Sequence, residues 1–86
     1  MTYLDHIEAA SRELARAERA PRIGWLQDHW AAQAIRALTE AIVIGDRDMM
    51  LAHDWRDRLL VTLRASTPNI EPIAAEISAY LRENGR

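Results

Sequence analysis

The spacing of apolar residues on either side of Gly45-Asp46 constrains this chain more than any other feature. From Ile23 the series Leu26, Trp30, Ala34, Ala37, Leu38, Ala41 and Ile44 advances in steps of three and four, which places every member on one helical face. Beyond the joint, Leu51, Trp55, Leu59, Thr62 and Leu63, with Ala52 beside them, repeat the same spacing. Gly45 has access to the left-handed conformation that closes a helix, and Asp46 carries an acceptor suited to the free N–H groups of the next one. The expectation is an antiparallel αα-hairpin over Arg22 to Ser66 whose two stripes face each other. Trp30 and Trp55 head those stripes and are expected to be largely buried.

The flanking segments read the same way. Thr2 is placed to cap a first helix, with Asp5 in the capping-box position, and Tyr3, Ile7, Ala10, Leu14 and Ala17 form its dry face. Glu8, Arg12, Glu13, Arg16 and Arg19 take the other side. Pro21 disfavours helix at Ala20 yet suits a first turn, so it predicts a break after about Arg19 and the start of a second helix running to Ile44. A third helix is expected over about Arg47 to Ala65. Ser66-Thr67-Pro68-Asn69 is a cluster of turn formers, and Asn69 as a cap places Pro72 in the first turn of a fourth helix. Ile70, Ile73, Ala74, Ile77 and Leu81 give that helix its stripe, with Tyr80 alongside and Asn84-Gly85 as its end. No strand pattern, internal repeat or long linker interrupts the series. Residues 1–86 therefore read as a single all-α domain, a small four-helix bundle built on the central hairpin; a three-helix core with a docked terminal helix is the alternative.

Composition limits what such a bundle can do. A chain of 86 residues has a thin core, and with 49% hydrophobic residues but three Trp, two Tyr and no Phe that core is built from Leu, Ile and Ala. Close helix packing is favoured over an enclosed ligand cavity, and no cofactor is expected. The absence of Cys removes disulfides, thiolate metal sites and thiol catalysis, and fits a cytoplasmic location. No segment approaches about 20 uninterrupted apolar residues and no basic stretch leads into an apolar run, so neither a membrane span nor a signal peptide is expected. Eleven basic residues against thirteen acidic give a net charge of -2, which offers no general attraction to a phosphate backbone. All eleven are Arg, a usage that points to a GC-rich bacterial or phage genome and supplies planar forks suited to carboxylates at interfaces.

Each His lies beside an Asp: Asp5-His6, Asp28-His29 and His53-Asp54. His53-Asp54, with His29 upstream, resembles the metal-binding pattern of the HD metal phosphohydrolases over three residues. That resemblance implies a divalent metal and a hydrolase, but the family's further downstream Asp has no counterpart, since no Asp follows Asp57. On a helical wheel His29 falls away from the stripe of Trp30, and His53 falls at a border beside Leu60 and Arg64, so the two are not expected to converge. Ser11, Ser66 and Ser78 lack a Gly-x-Ser-x-Gly turn, and the glycines at 24, 45 and 85 are isolated, so neither a catalytic serine nor a phosphate loop is expected. For DNA the candidate groups are Arg47, Arg56, Arg58 and Arg64 on the third helix. Asp46, Asp48, Asp54 and Asp57 interleave with them, and a two-residue joint between long helices is not the turn of a helix-turn-helix.

Apolar residues left over from the stripes carry the functional expectation. Trp25 and Val43 fall nearly opposite the core side of the second helix, with Ala32, His29 and Arg36 on the same strip. Met50 and Val61 fall outside the stripe of the third. Either another helix of the chain wraps over them or another protein surface does, and Trp, Met and Arg are the residue types enriched at interface centres. The leading expectation is a small non-enzymatic interaction protein, a regulator, adaptor or inhibitor, whose partner-binding residues are Trp25, His29, Arg36, Val43, Met50 and Val61. A phage-encoded inhibitor and a small subunit of a larger complex both fit it. Self-association as a homodimer would satisfy the same surface. The competing readings are a DNA-binding regulator using the third helix and a metal-dependent hydrolase using His29 and His53.

Overall fold

A computed structural model of the chain describes residues 2–20, 25–45, 48–65 and 68–84. Regular structure among them is helix alone: α1 Tyr3–Arg19, α2 Trp25–Ile44, α3 Met49–Leu63 and α4 Glu71–Asn84. The termini of α1 follow its sequence. Asp5 N–H donates to Thr2 Oγ1 at 3.2 Å while Thr2 N–H donates to Asp5 Oδ2 at 2.9 Å, a complete capping box. At its far end Ala20 turns extended, with ψ 138, as a residue before proline prefers. The expected start of the second helix at Pro21, and Ile23 with it, lies outside the described residues.

Gly45 closes α2 as expected. Its φ is +76, and its N–H donates to the Ala41 carbonyl at 3.3 Å, which satisfies one of the orphan acceptors of the last turn. The next helix starts later than its sequence suggests, at Met49, and the expected cap Asp46 lies outside the described residues together with Arg47. Asp48 stands in front of α3 without capping it through its side chain. Its carboxylate accepts instead from the Tyr80 hydroxyl at 2.6 Å, and its backbone carbonyl accepts from the Tyr3 hydroxyl at 2.7 Å. At the head of α4, Glu71 N–H donates to Asn69 Oδ1 at 3.3 Å, with Pro72 inside the first turn.

The four helices pack as a bundle measuring 36 × 21 × 20 Å, and a 20-residue α2 spans about 30 Å, so α2 runs along its long dimension. The most extensive pairing joins α1 to α2; α3 lies on α2, α4 lies on α1, and α3 meets α4 only slightly. Alanines explain the dominant pair, because Ala10 and Ala17 of α1 and Ala34, Ala37 and Ala41 of α2 are all buried in one core and let two backbones approach closely. Ile7, Leu14, Leu38, Leu59 and Ile77 fill that core as its largest fully buried side chains. At one end the aromatic rings join it, Trp55 edge-on to Tyr80 at 5.5 Å and Tyr80 edge-on to Tyr3 at 6.4 Å.

Every expected stripe residue of α1 is buried, and Ile70, Ile73 and Ile77 are buried from the α4 stripe. The central stripes need three corrections. Trp30 is half-buried, its ring lying under the Arg16 guanidinium at 5.1 Å, so α1 covers it with a cation instead of sinking it in the core. Leu51 is exposed while its neighbour Ala52 is fully buried, because the inward side of α3 is centred on Ala52, Trp55 and Leu59. Ile44, the last residue of α2, is exposed as well.

Two stability outcomes follow from this packing. Trp55, 2% exposed, should cost about 3 to 5 kcal/mol when truncated to Ala, with Trp30→Ala costing clearly less because its ring leaves a smaller cavity; urea melts of the two variants rank them, and equal losses would contradict the difference in burial. Gly45→Val should cost about 1 to 2 kcal/mol by forcing a β-branched residue to positive φ, and an unchanged melt would show that the conformation at Gly45 is not required.

Candidate interaction surface

The outward sides of α2 and α3 hold the apolar residues that the core leaves out. Val43 is 75% exposed at the end of α2, and Met50 and Val61 are 68% and 69% exposed on α3. His29, Arg36 and Ala32 of the α2 strip are exposed too, and the His29 ring sits edge-on to Trp30 at 4.8 Å. Trp25 is the first residue of α2, but its side chain lies outside the described part of the structure, so the strip is defined here by its Val43 end. Four exposed residues escaped the sequence reading: Ile44, Met49, Leu51 and Leu60. For the three on α3 the signal was the lack of a single dry face, with apolar residues spread around the helix among Asp54, Arg56, Asp57 and Arg58, in contrast with the sharply two-sided α1; Ile44, at the end of α2, carried no such signal. A helix apolar on more than one side has more than one surface to cover.

Ion pairs fix the charged groups beside this surface. Arg58, on α3, donates to both carboxylate oxygens of Glu76 on α4, at 2.8 and 2.6 Å, and also to Asp54 Oδ2 at 3.2 Å. The Glu76 hydrogen bonds hold the guanidinium protonated above its ordinary range, and the same contacts pull the Glu76 carboxyl below its usual value. Arg56 reaches His53 Nδ1 at 3.3 Å and Asp57 Oδ1 at 3.7 Å. Behind them Tyr80 is half-buried, and burial, followed by its bond to Asp48, pushes its phenol above the ordinary value.

These contacts bear on the other chemistries. Of the four candidate arginines for DNA, Arg58 is held bidentately by Glu76 and Arg56 leans on its own helix, so neither reaches for a phosphate without giving up a partner; Arg64 is exposed at the C-cap of α3, and Arg47 lies outside the described residues. Among the described residues no three His, Asp or Glu side chains gather closely enough to hold a metal ion, and His29 and His53 do not form such a group. No described helix is long and apolar enough to cross a membrane. No family model, curated protein or solved structure matches the chain.

The Arg58–Glu76 pair makes stability depend on acid. A carboxyl whose folded-state pKa lies below its ordinary 4.5 stabilises the fold above that value, and the contribution disappears as pH falls through the folded-state pKa. Both side chains are more than a third exposed, so solvent screening holds the pair to about 0.2 to 1 kcal/mol. Thermal melts should show wild type losing stability between about pH 5 and pH 3 more steeply than Glu76→Gln; identical slopes would mean that the pair does not persist in solution.

Proposed function

We propose that this protein is a small non-enzymatic interaction module, a regulator, adaptor or inhibitor that works by presenting the outer face of α2 and α3 to another protein. One observation carries the reading. Every large apolar residue that is exposed among the described residues falls between Val43 and Val61, and α1 and α4 contribute none. Scattered exposed apolar residues are ordinary on any surface, whereas their confinement to one stretch marks a contact site. The same reading takes α2 and α3 as an antiparallel hairpin closed at Gly45, an arrangement that gathers those residues on adjoining elements. Arg36 and His29 border the α2 portion, as polar groups border the rim of an interface. A chain without Cys suits a reducing compartment such as the cytoplasm. A second copy of the chain would be the simplest cover for the Val43 strip of α2.

Photo-crosslinking tests the surface directly. A photoreactive residue in place of Val61 or Met50 should give a discrete protein adduct in cells, and one in place of Arg12, exposed on α1, should give none. The double variant Met50→Glu/Val61→Glu should lose adduct formation from a third reporter at Val43 while its melting temperature stays within a few degrees, as exposed substitutions do. Equal crosslinking from α1 and α3, or a collapse of the fold in the double variant, would remove the reading.

A further inference from the structure

The geometry points to a partner that offers a basic amphipathic helix to α3, with two apolar side chains flanking two Arg or Lys. This rests on the interaction reading above and adds the chemistry of the occupant. Met50, Asp54, Asp57 and Val61 recur at steps of four, three and four, so they form one strip about three turns long on the side of α3 away from Trp55 and Leu59. Both ends are exposed apolar groups, and the two middle carboxylates are 58% and 64% exposed. Alongside Val61 a shallow depression of about 420 Å³, lined by Asp57, Arg58, Val61, Thr62 and Ala65, has room for an apolar side chain of a partner.

Charge decides the occupant. If a second copy paired its α3 antiparallel on this strip, the register that sets Met50 on Val61 would also set Asp54 on Asp57, twice. A parallel two-fold pairing would oppose each Asp to itself. Either arrangement buries carboxylate against carboxylate, which costs binding. The arginines beside the strip are already engaged: Arg58 is shared between Glu76 and Asp54 Oδ2, and Arg56 lies 3.7 Å from Asp57 Oδ1 and contacts His53, so two guanidinium groups serve the carboxylates of Asp54, Asp57 and Glu76 and the strip keeps a negative excess. A partner helix with apolar groups at the ends and guanidinium or ammonium groups between them satisfies all four positions, and the negative net charge of the chain favours its approach.

The test uses the full chain and two synthetic helical peptides, each with two Leu about three turns apart, one with two Arg between them and the other with two Glu. Fluorescence anisotropy at low and at physiological salt should show the Arg peptide binding at least about tenfold more tightly than the Glu peptide, with the gap narrowing as salt rises. Asp54→Asn/Asp57→Asn should bring the two peptides to within about twofold of each other, and Met50→Gln/Val61→Ser should weaken both. Circular dichroism melts confirm that the variants remain folded, which their exposure and the retained Arg58–Glu76 pair lead one to expect. Equal binding of both peptides, or no binding of the Arg peptide, overturns the basic-helix assignment, and crosslinks from Val61 that survive either result leave the interaction surface itself standing. A dimer in sedimentation that dissociates in Met50→Gln/Val61→Ser assigns the strip to a second copy and likewise overturns it.

Discussion

Asp48 is the point on which the bundle's closed end depends. Its backbone carbonyl takes the Tyr3 hydroxyl from the first turn of α1, and its carboxylate takes the Tyr80 hydroxyl from the last turns of α4. One residue at the head of α3 thereby ties three helices. The tie matters because α3 and α4 meet so little along their lengths that the bundle has few other means of joining them. Arg58 on Glu76 supplies one, and near the other end of the seam Thr62 Oγ1 supplies another by accepting the Asn69 N–H at 3.0 Å. Trp55 completes the first knot from inside, its ring edge-on to Tyr80, so the most buried aromatic among the described residues and its polar fastening belong to one cluster.

The sequence made the helices legible and their relative importance much less so. Period, caps and breakers act locally: Thr2 with Asp5, Ala20 before Pro21, Gly45 at positive φ and Asn69 ahead of Pro72 all do what their chemistry dictates. Which helix pairs best with which is decided by how closely two backbones approach, and that rests on alanines, which contribute little to an apolar-period argument but allow intimate packing. Leu51 and Ala52 illustrate the difficulty. A stripe drawn by side-chain size selects Leu51, whereas the helix turns Ala52 inward. Asp48 was hidden for another reason, since an Asp near a helix start reads as a cap. Only the two tyrosines of the stripes, each needing an acceptor for its hydroxyl, hinted that its oxygens are used elsewhere.

On the surface the same limits apply. Val43, Met50 and Val61 stood out from the sequence because they lie far from any reasonable core direction. Met49, Leu51 and Leu60 did not, because each borders the core side of α3 on one flank or the other, where exposure is set by how the neighbouring helices pack, which no local rule decides. A Phe-free core also matters here. With few large side chains inside, the chain has little means of widening its interior, and the apolar residues of α3 that find no room there stay outside.

The unequal sharing of the core has a dynamic consequence. Where α1 and α2 hold most of the packing between them and α3 and α4 are attached on separate sides, local opening free energies follow the same order: the α1–α2 pair opens only with the whole molecule, while either outer helix can lift at lower cost. The bundle is then a two-helix spine carrying two appendages, and the surface from Met49 to Val61 belongs to an appendage. Anything that grips α3 draws on the more pliant part of the fold, and the backbone order it gains on being held is set against the contacts it makes.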